Sequence, residues 1–483
     1  MIAREGAARR RRTKIVATLG PSTDNAEVLE ELIRAGVDVV RINFSHGAAE
    51  LQADRVELVR SLAAKVGRYV AIMGDLQGPK IRIRTFTSGS ARLRTGGRFT
   101  LDTSLGPAQG TSESVGVAYP DLVADVAPGD VLLLDDGQIV LSVHAVEDPR
   151  IECTVVRGGL LKDRKGLNKQ GGGLSADALT DQDREDIVAA ARLDLDFIAV
   201  SFVRSAEDVR EARQILESAG GRCHVVAKIE RAEAVDNIES IIDASDAIMV
   251  ARGDLAVEVG YAAMTGLQKG LIRTAIERHK VSITATQMLE SMITAGSPTR
   301  AEVSDVANAV LDGTDAVMLS AETAVGDNPV QAVRTMAEVC IGAEKHETSR
   351  GITHARGDDE FRFVDQAIAM AAMYTATHLD VRAIICLTES GSTTLWMSRR
   401  RTDIPIYAYT RQEETRRRVT LYRGVYPVDF DIVSTPHEQL HEFAFDKLRK
   451  AGDLESGDLV IFTSGQLEGI AGGTNCLQIL KVP

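Results

Sequence analysis

One unit recurs along most of this chain: a short apolar run, then an amphipathic stretch with apolar residues at intervals of three and four. The runs are KIVATLG (14–20), VDVVRINFS (37–45), YVAIMGDL (69–76), DFIAVSFV (196–203), HVVAKIE (224–230), DAIMVARGD (246–254), VSITATQ (281–287) and DAVMLS (315–320), eight in all. Between them, AEVLEELIRAG and AEDVREARQILESAG carry the helical period. Eight strand–helix units in this order predict a (β/α)8 barrel, an α/β fold in which functional groups gather at the carboxyl ends of the strands. The competing fold is a doubly wound open sheet, and no G-x-G-x-x-G turn follows the first strand to support it.

The third and fourth runs lie about 120 residues apart, far beyond an ordinary barrel connection. Over 84–178 the pattern changes to short alternating runs with turns, such as GDVLLLDDGQIVLSVHAV, which predicts an inserted small antiparallel β domain. The barrel is then built from 13–83 and 179–345. A polar stretch, ETSRGITHARGDDEF, reads as a linker. The segment 346–483 is a last α/β domain, with strands AIICLT, IPIYAYT and DLVIFTSG.

With 483 residues the chain exceeds one compact core. Its 69 acidic and 56 basic residues give a net charge of −13, which argues against a nucleic-acid or membrane-surface binder. No apolar stretch approaches the roughly 20 residues that span a bilayer. The basic cluster Arg9 to Arg12, within residues 1–12, reads as a frayed leader, and no apolar segment follows it as in a signal peptide. Five scattered cysteines without metal-finger spacing point to reduced thiols and the cytoplasm.

The chemistry begins at YVAIMGDLQGPKIRIR (69–84), where an apolar strand ends in Asp75, Lys80, Arg82 and Arg84. Charges withheld from water need partners or a ligand. In VDVVRINFS, Arg41, Asn43 and Ser45 share one face, which fits a half-exposed strand as well as a site. In HVVAKIE, Lys228 and Glu230 share a face, and MVARGDLAVE places Asp254 and Glu258 just past the next strand. Such carboxylates are either paired structural ions or ligands of a hard divalent cation, Mg2+ or Mn2+ rather than zinc. Gly253 allows backbone amides to approach an anion. Arg41, Arg82 and Lys228 could supply the fixed positive charge of phosphoryl transfer, and no P-loop is present.

Taken in order, TKIVATLGPST, VVRINFSHG, GDLQGPKIR, LLLDDG, AKIERAEAV, MVARGDLAVE, TATQMLESM and PTRAEVSDVANAVLDGTDAVMLSAET resemble the pyruvate kinase family over nearly the whole length. The resemblance implies a (β/α)8 barrel with an inserted β-barrel lid and a carboxyl-terminal α/β regulatory domain. It implies phosphate transfer from phosphoenolpyruvate to ADP, giving pyruvate and ATP, in a homotetramer. On this resemblance Glu230 and Asp254 hold the divalent metal, and Lys228 neutralises the phosphoryl group in flight. Arg41 contacts phosphate, Gly253 lies at the substrate, and Thr286 sits by the enolate with the proton-delivering water. Pro21, His46, Arg82 and Lys165 line the nucleotide side. The chain departs from the family at Asn168, Lys169, Gln170 and Gly171, where many relatives read N-L-P-G, and at Ala256, where glycine is usual.

In many pyruvate kinases K+ is held by groups matching Asn43, Ser45, Asp75 and the carbonyl of Leu76, and glutamate occupies the position of Lys80. A lysine there supplies a cation covalently, so the chain resembles the subset needing Mg2+ or Mn2+ but no K+. Thr388, Ser390, Gly391, Ser392 and Thr393, in TESGSTT before a helix, match the effector loop. Loop FTSGQLEGIAGG lacks the basic residues of a fructose bisphosphate site, so a sugar monophosphate or nucleotide monophosphate is expected. The alternatives are another metal-dependent barrel enzyme on phosphoenolpyruvate or pyruvate, an aldolase or mutase, and a non-catalytic effector-binding protein.

Overall fold

The computed structural model describes residues 10–45, 47, 49–349, 361–465 and 472–483. Eight parallel strands close into a barrel: β1 (Lys14–Thr18), β2 (Val39–Asn43), β3 (Ala71–Asp75), β4 (Phe197–Val200), β5 (His224–Ile229), β6 (Ala247–Ala251), β7 (Val281–Ala285) and β8 (Ala316–Leu319). Each pairs with its neighbours in the chain, and β8 closes on β1 with Lys14 opposite Ala316. Because a strand turns alternate residues to opposite faces, the apolar runs divide between two cores. Val16, Val39, Met73, Phe197, Ala199, Val226, Met249 and Ile283 belong to one. Ile15, Val40, Ile72, Ile198, Val225, Ile248 and Val317 pack with the helices in the other.

The insertion between β3 and β4 forms a six-stranded sheet and a two-stranded sheet around a separate apolar core that includes Phe99, Leu101, Leu132 and Leu141. Most pairings are antiparallel, but Arg98–Asp102 and Ser114–Gly116 pair parallel. The carboxyl-terminal sheet has five strands, β9 (Ala383–Leu387), β10 (Ile406–Thr410), β11 (Val425–Asp429), β12 (Leu459–Gly465) and β13 (Thr474–Lys481), in the order 11-10-9-12-13. Only β12 and β13 are antiparallel. Strand β11 carries Pro427, which a sheet tolerates at an edge. Among the described residues no helix is long and apolar enough to cross a membrane.

The amino-terminal arginines, expected to fray, are held from Arg10 onward. Arg10 reaches Asp453 at 2.8 Å and lies over the rings of Tyr407 and Tyr426. Arg11 pairs with Asp38 at 2.8 Å, and Arg12 donates to the carbonyl of Thr402 and, through its backbone N–H, to Glu344. Together with Lys14, whose ammonium donates to the carbonyl of Val425 at 2.6 Å, they stitch the base of the barrel to the last domain. Arg399 and Asp315 form a further ion pair across this base, each side chain only 2% exposed.

Candidate active site

The inward face of the barrel continues past its apolar layers without changing register. Two residues beyond Val16, Val39, Met73, Ala199 and Val226, the inward positions hold Thr18, Arg41, Asp75, Ser201 and Lys228. At the carboxyl end of the barrel the apolar filling thus gives way to a polar ring, and its members bond to one another. Asp75, 1% exposed, pairs with Arg41 through one oxygen and with the Lys228 ammonium at 3.1 Å through the other. Lys228 also donates to Ser201 Oγ at 2.6 Å and pairs with Glu230 at 3.0 Å, while Arg41 donates to Thr18 Oγ1 at 3.1 Å. Ser201 in turn donates to the carbonyl of Leu76 at 2.7 Å. Glu230 accepts the backbone N–H of Phe202 at 2.7 Å.

Burial opposes every charge in this ring, and neighbours decide the outcome. Burial would raise the Asp75 carboxyl, but Arg41 and Lys228 outweigh it and hold Asp75 below the usual carboxylate range. Burial would lower the Lys228 ammonium, but Asp75 and Glu230 raise it well above the lysine norm. Glu230 goes the other way: burial, with the charge of Asp254 adding, lifts it above the glutamate norm against the pull of Lys228.

Asp254 lies just past a strand, as expected, but the strand is shorter than the apolar run 246–254. Strand β6 stops at Ala251, and Arg252–Val259 turns into a helix, α1, with Asp254 in its first turn. Its carboxylate lies 3.2 Å from the Lys80 ammonium. Thr286 follows β7 with its backbone in the left-handed region, φ +67°, and Gln287 continues at +54°. Such backbone costs about 1–3 kcal/mol at each non-glycine residue and persists only where the surroundings enforce it. Here Arg252 holds the Thr286 carbonyl at 2.6 Å, and the Gly253 N–H donates to Thr286 Oγ1 at 2.9 Å.

Other expected positions lie outside this network. Pro21, itself exposed, opens a short turn after β1, and Arg82 donates to the carbonyl of Arg164 in the lid. Lys165 pairs with Asp135 at 2.7 Å, also within the lid. His46 lies outside the described residues. Asn43 accepts the N–H of Ser45 at 3.0 Å. In the last domain, Thr388 caps the N–H of Gly391, Ser390 and Ser392 hydroxyls meet at 3.3 Å, and Thr393 bonds Thr474. Ser392 donates to the buried Asp365 at 3.2 Å, a negative group beside the loop. Residues 466–471 of FTSGQLEGIAGG lie outside the described residues.

The arrangement matches known families along almost its full length. Residues 10–333 match the pyruvate kinase barrel domain, and residues 366–480 match the pyruvate kinase alpha/beta domain. The chain belongs to the pyruvate kinase family. It is 53% identical over 478 residues to pyruvate kinase II of Salmonella typhimurium, covering 98% of this chain and 99% of that one. It is 51% identical over 461 residues to the pyruvate kinase of Haemophilus influenzae, covering 95% and 96%. In three dimensions it resembles a pyruvate kinase from Cryptosporidium parvum, with a TM-score of 0.89 at 35% identity over 98% of this chain and 96% of that one.

Pyruvate kinases generally use Mg2+ or Mn2+, and the donor set here suits such an ion. Among the described residues no three His, Cys, Asp or Glu side chains gather as a closed metal cage. Two carboxylates, Glu230 with its ionisation opposed by burial and by the charge of Asp254, and ammonium groups against both, are what Mg2+ takes when it keeps waters and substrate oxygens for its other positions.

Sequence reasoning passed over Ser201, Thr18 and Arg252. For Ser201 and Thr18 a signal was there: each stands two residues past an inward apolar residue. Arg252 carries no such mark, because its role depends on the turn that takes it out of the strand.

Proposed function

We infer that the chain carries out the reaction of its family, moving the phosphoryl group of phosphoenolpyruvate to ADP with pyruvate and ATP as products. One observation supports this most: Arg41, Lys228, Glu230 and Asp254 converge at the carboxyl end of the barrel around a buried, hydrogen-bonded ring. Arg41 and Lys228 present fixed positive charge to phosphoryl oxygens, and because Asp75 already orients both, little reorganisation is needed when charge develops. Glu230 and Asp254 would hold the divalent ion, which when bound screens the substrate oxygens. Thr286, pinned against Gly253, lies where the enolate is protonated. Pro21, His46, Arg82 and Lys165 form the nucleotide side, and the inserted domain closes over it to exclude water.

The same reading makes K+ dispensable. Three of the four donors of the monovalent-type set are engaged by this chain's own groups: Asp75 by Arg41 and Lys228, the Leu76 carbonyl by Ser201, Asn43 by the Ser45 N–H. Lys80 adds a tethered cation 3.2 Å from Asp254. Pyruvate formation from phosphoenolpyruvate and ADP with Mg2+ should reach full rate in K+-free buffer, and added K+ should change it by less than about twofold. The Lys80→Glu variant should acquire a K+ requirement. Activity of the parent only with K+ discards the role of Lys80; no activity in either buffer discards the reaction.

The loop of Thr388, Ser390, Gly391, Ser392 and Thr393 is the proposed seat of a sugar monophosphate or nucleotide monophosphate effector. Its hydroxyls hold the amides of Gly391 and Ser392, and a phosphate would take their place by accepting from the same hydroxyl and amide donors. A Ser392→Asp substitution sets a second carboxylate beside Asp365 and should abolish activation by such monophosphates without changing the unactivated rate. Activation that survives the substitution removes the site.

A further inference from the structure

The lid returns to the barrel through the segment 167–174, and four hydrogen bonds tie that segment to the residues flanking Glu230 and Asp254. Leu167–Lys169 is the last strand of the lid. Asn168 donates its side-chain amide to Glu258 Oε1 at 3.5 Å, and the N–H of Gly171 donates to the Glu258 carbonyl at 3.0 Å. The N–H of Gly173 donates to Glu233 at 2.6 Å, and Arg231 donates to the carbonyl of Leu174 at 2.7 Å. Between these anchors run Gly171, Gly172 and Gly173, all with φ between +81° and +92°. A side chain on Gly172 would meet Glu233 at 2.7 Å, so only glycine keeps both the turn and the close approach.

Glu258 stands at the centre of this clamp. It is 3% exposed and lies one helical turn after Asp254 on α1, so the two carboxylates share a helix face. Its second oxygen, Oε2, accepts the N–H of Ala232 at 3.0 Å, two residues past Glu230. One side chain therefore touches the lid, the turn that follows Glu230 and the helix that carries Asp254.

We propose that Glu258 is a positioning residue that sets the spacing of Glu230 and Asp254 and passes the position of the lid to them. This rests on the reading that Glu230 and Asp254 hold the divalent ion. Groups that orient metal ligands typically cost 10–100-fold in metal affinity when removed. Glutamine at this position can keep both hydrogen bonds, since its oxygen still accepts from Ala232 and Asn168 can turn its amide to meet the new NH2.

The test is Mn2+ binding to the full-length protein without substrates, followed by paramagnetic resonance, together with amide exchange across 167–174. Glu258→Ala should weaken Mn2+ binding at least about tenfold and speed exchange in that segment, while Glu258→Gln should stay within about twofold of the parent. Asn168→Leu, which cuts only the lid contact, should speed exchange and weaken Mn2+ by a smaller factor, and it stands in if Glu258→Ala does not fold. Unchanged Mn2+ affinity in Glu258→Ala, or in Asn168→Leu where that stands in, overturns the coupling. Glu230→Gln serves as the control: if it too binds Mn2+ normally, the ligand assignment itself falls.

Discussion

Replacing Lys228 with methionine should lower the turnover of pyruvate formation by about two to three orders of magnitude, the cost of removing one preorganised charge from a water-poor site. The ammonium is tied to Asp75, Glu230 and Ser201 at 3.1, 3.0 and 2.6 Å, so it stays in place before substrate arrives. Methionine fills the volume of the stem without the charge. Lys228→Arg should not rescue, because a planar guanidinium cannot occupy the point contact a compact ammonium makes with three partners. The substitution also strips Glu230 of its paired cation, so the rate is to be normalised to folded protein measured by circular dichroism. A loss below about tenfold in fully folded protein would mean that the family's positive charge resides elsewhere in this chain.

The second large effect is on stability. Asp315→Asn at the barrel base should destabilise the protein by about 3–5 kcal/mol, because it leaves the Arg399 guanidinium buried without its counter-charge. Asp315 also accepts the N–H of Ser282 at 2.9 Å, so one carboxylate fixes the start of β7 and holds the last domain. Calorimetry should show the midpoint falling and the transition separating into a barrel step and a carboxyl-terminal step. The double replacement Asp315→Leu with Arg399→Met should recover much of the loss, since well-packed apolar residues often replace a buried pair at no cost. An unchanged, single transition in Asp315→Asn would show that the pair contributes nothing to the union of the domains.

The barrel was legible because its strands are apolar throughout yet alternate in role, and the helices between them keep a clear period. Lys228, Glu230 and Arg41 were legible for the same reason, as polar residues placed in register at the ends of apolar runs. The end of the sixth strand was drawn too late, since Met-Val-Ala-Arg-Gly-Asp reads as one run until backbone hydrogen bonding ends it at Ala251 and a helix takes Asp254. The partner of Lys80 was out of reach: sequence puts Asp75 five residues away, but Arg41 and Lys228 saturate that carboxylate. Strand β11 was missed because Pro427 argues against a strand unless its edge position is known. Arg10 and Arg12 read as a loose end because their partners, Asp453, Glu344 and Thr402, lie hundreds of residues away.

That last separation has a consequence for how the protein is made. Arg10 leaves the ribosome 443 residues before Asp453, its counter-charge. At roughly 5–20 residues per second, this leaves the first arginines waiting on the order of 20–90 s for the segment that receives them. The barrel cannot close sooner than β8 emerges, and its base is sealed later still, when the carboxyl-terminal sheet docks onto Lys14. Fastening of Arg10 thus waits on synthesis of the Asp453 segment, and a nascent protein stalled short of Asp453 carries an unsealed barrel base.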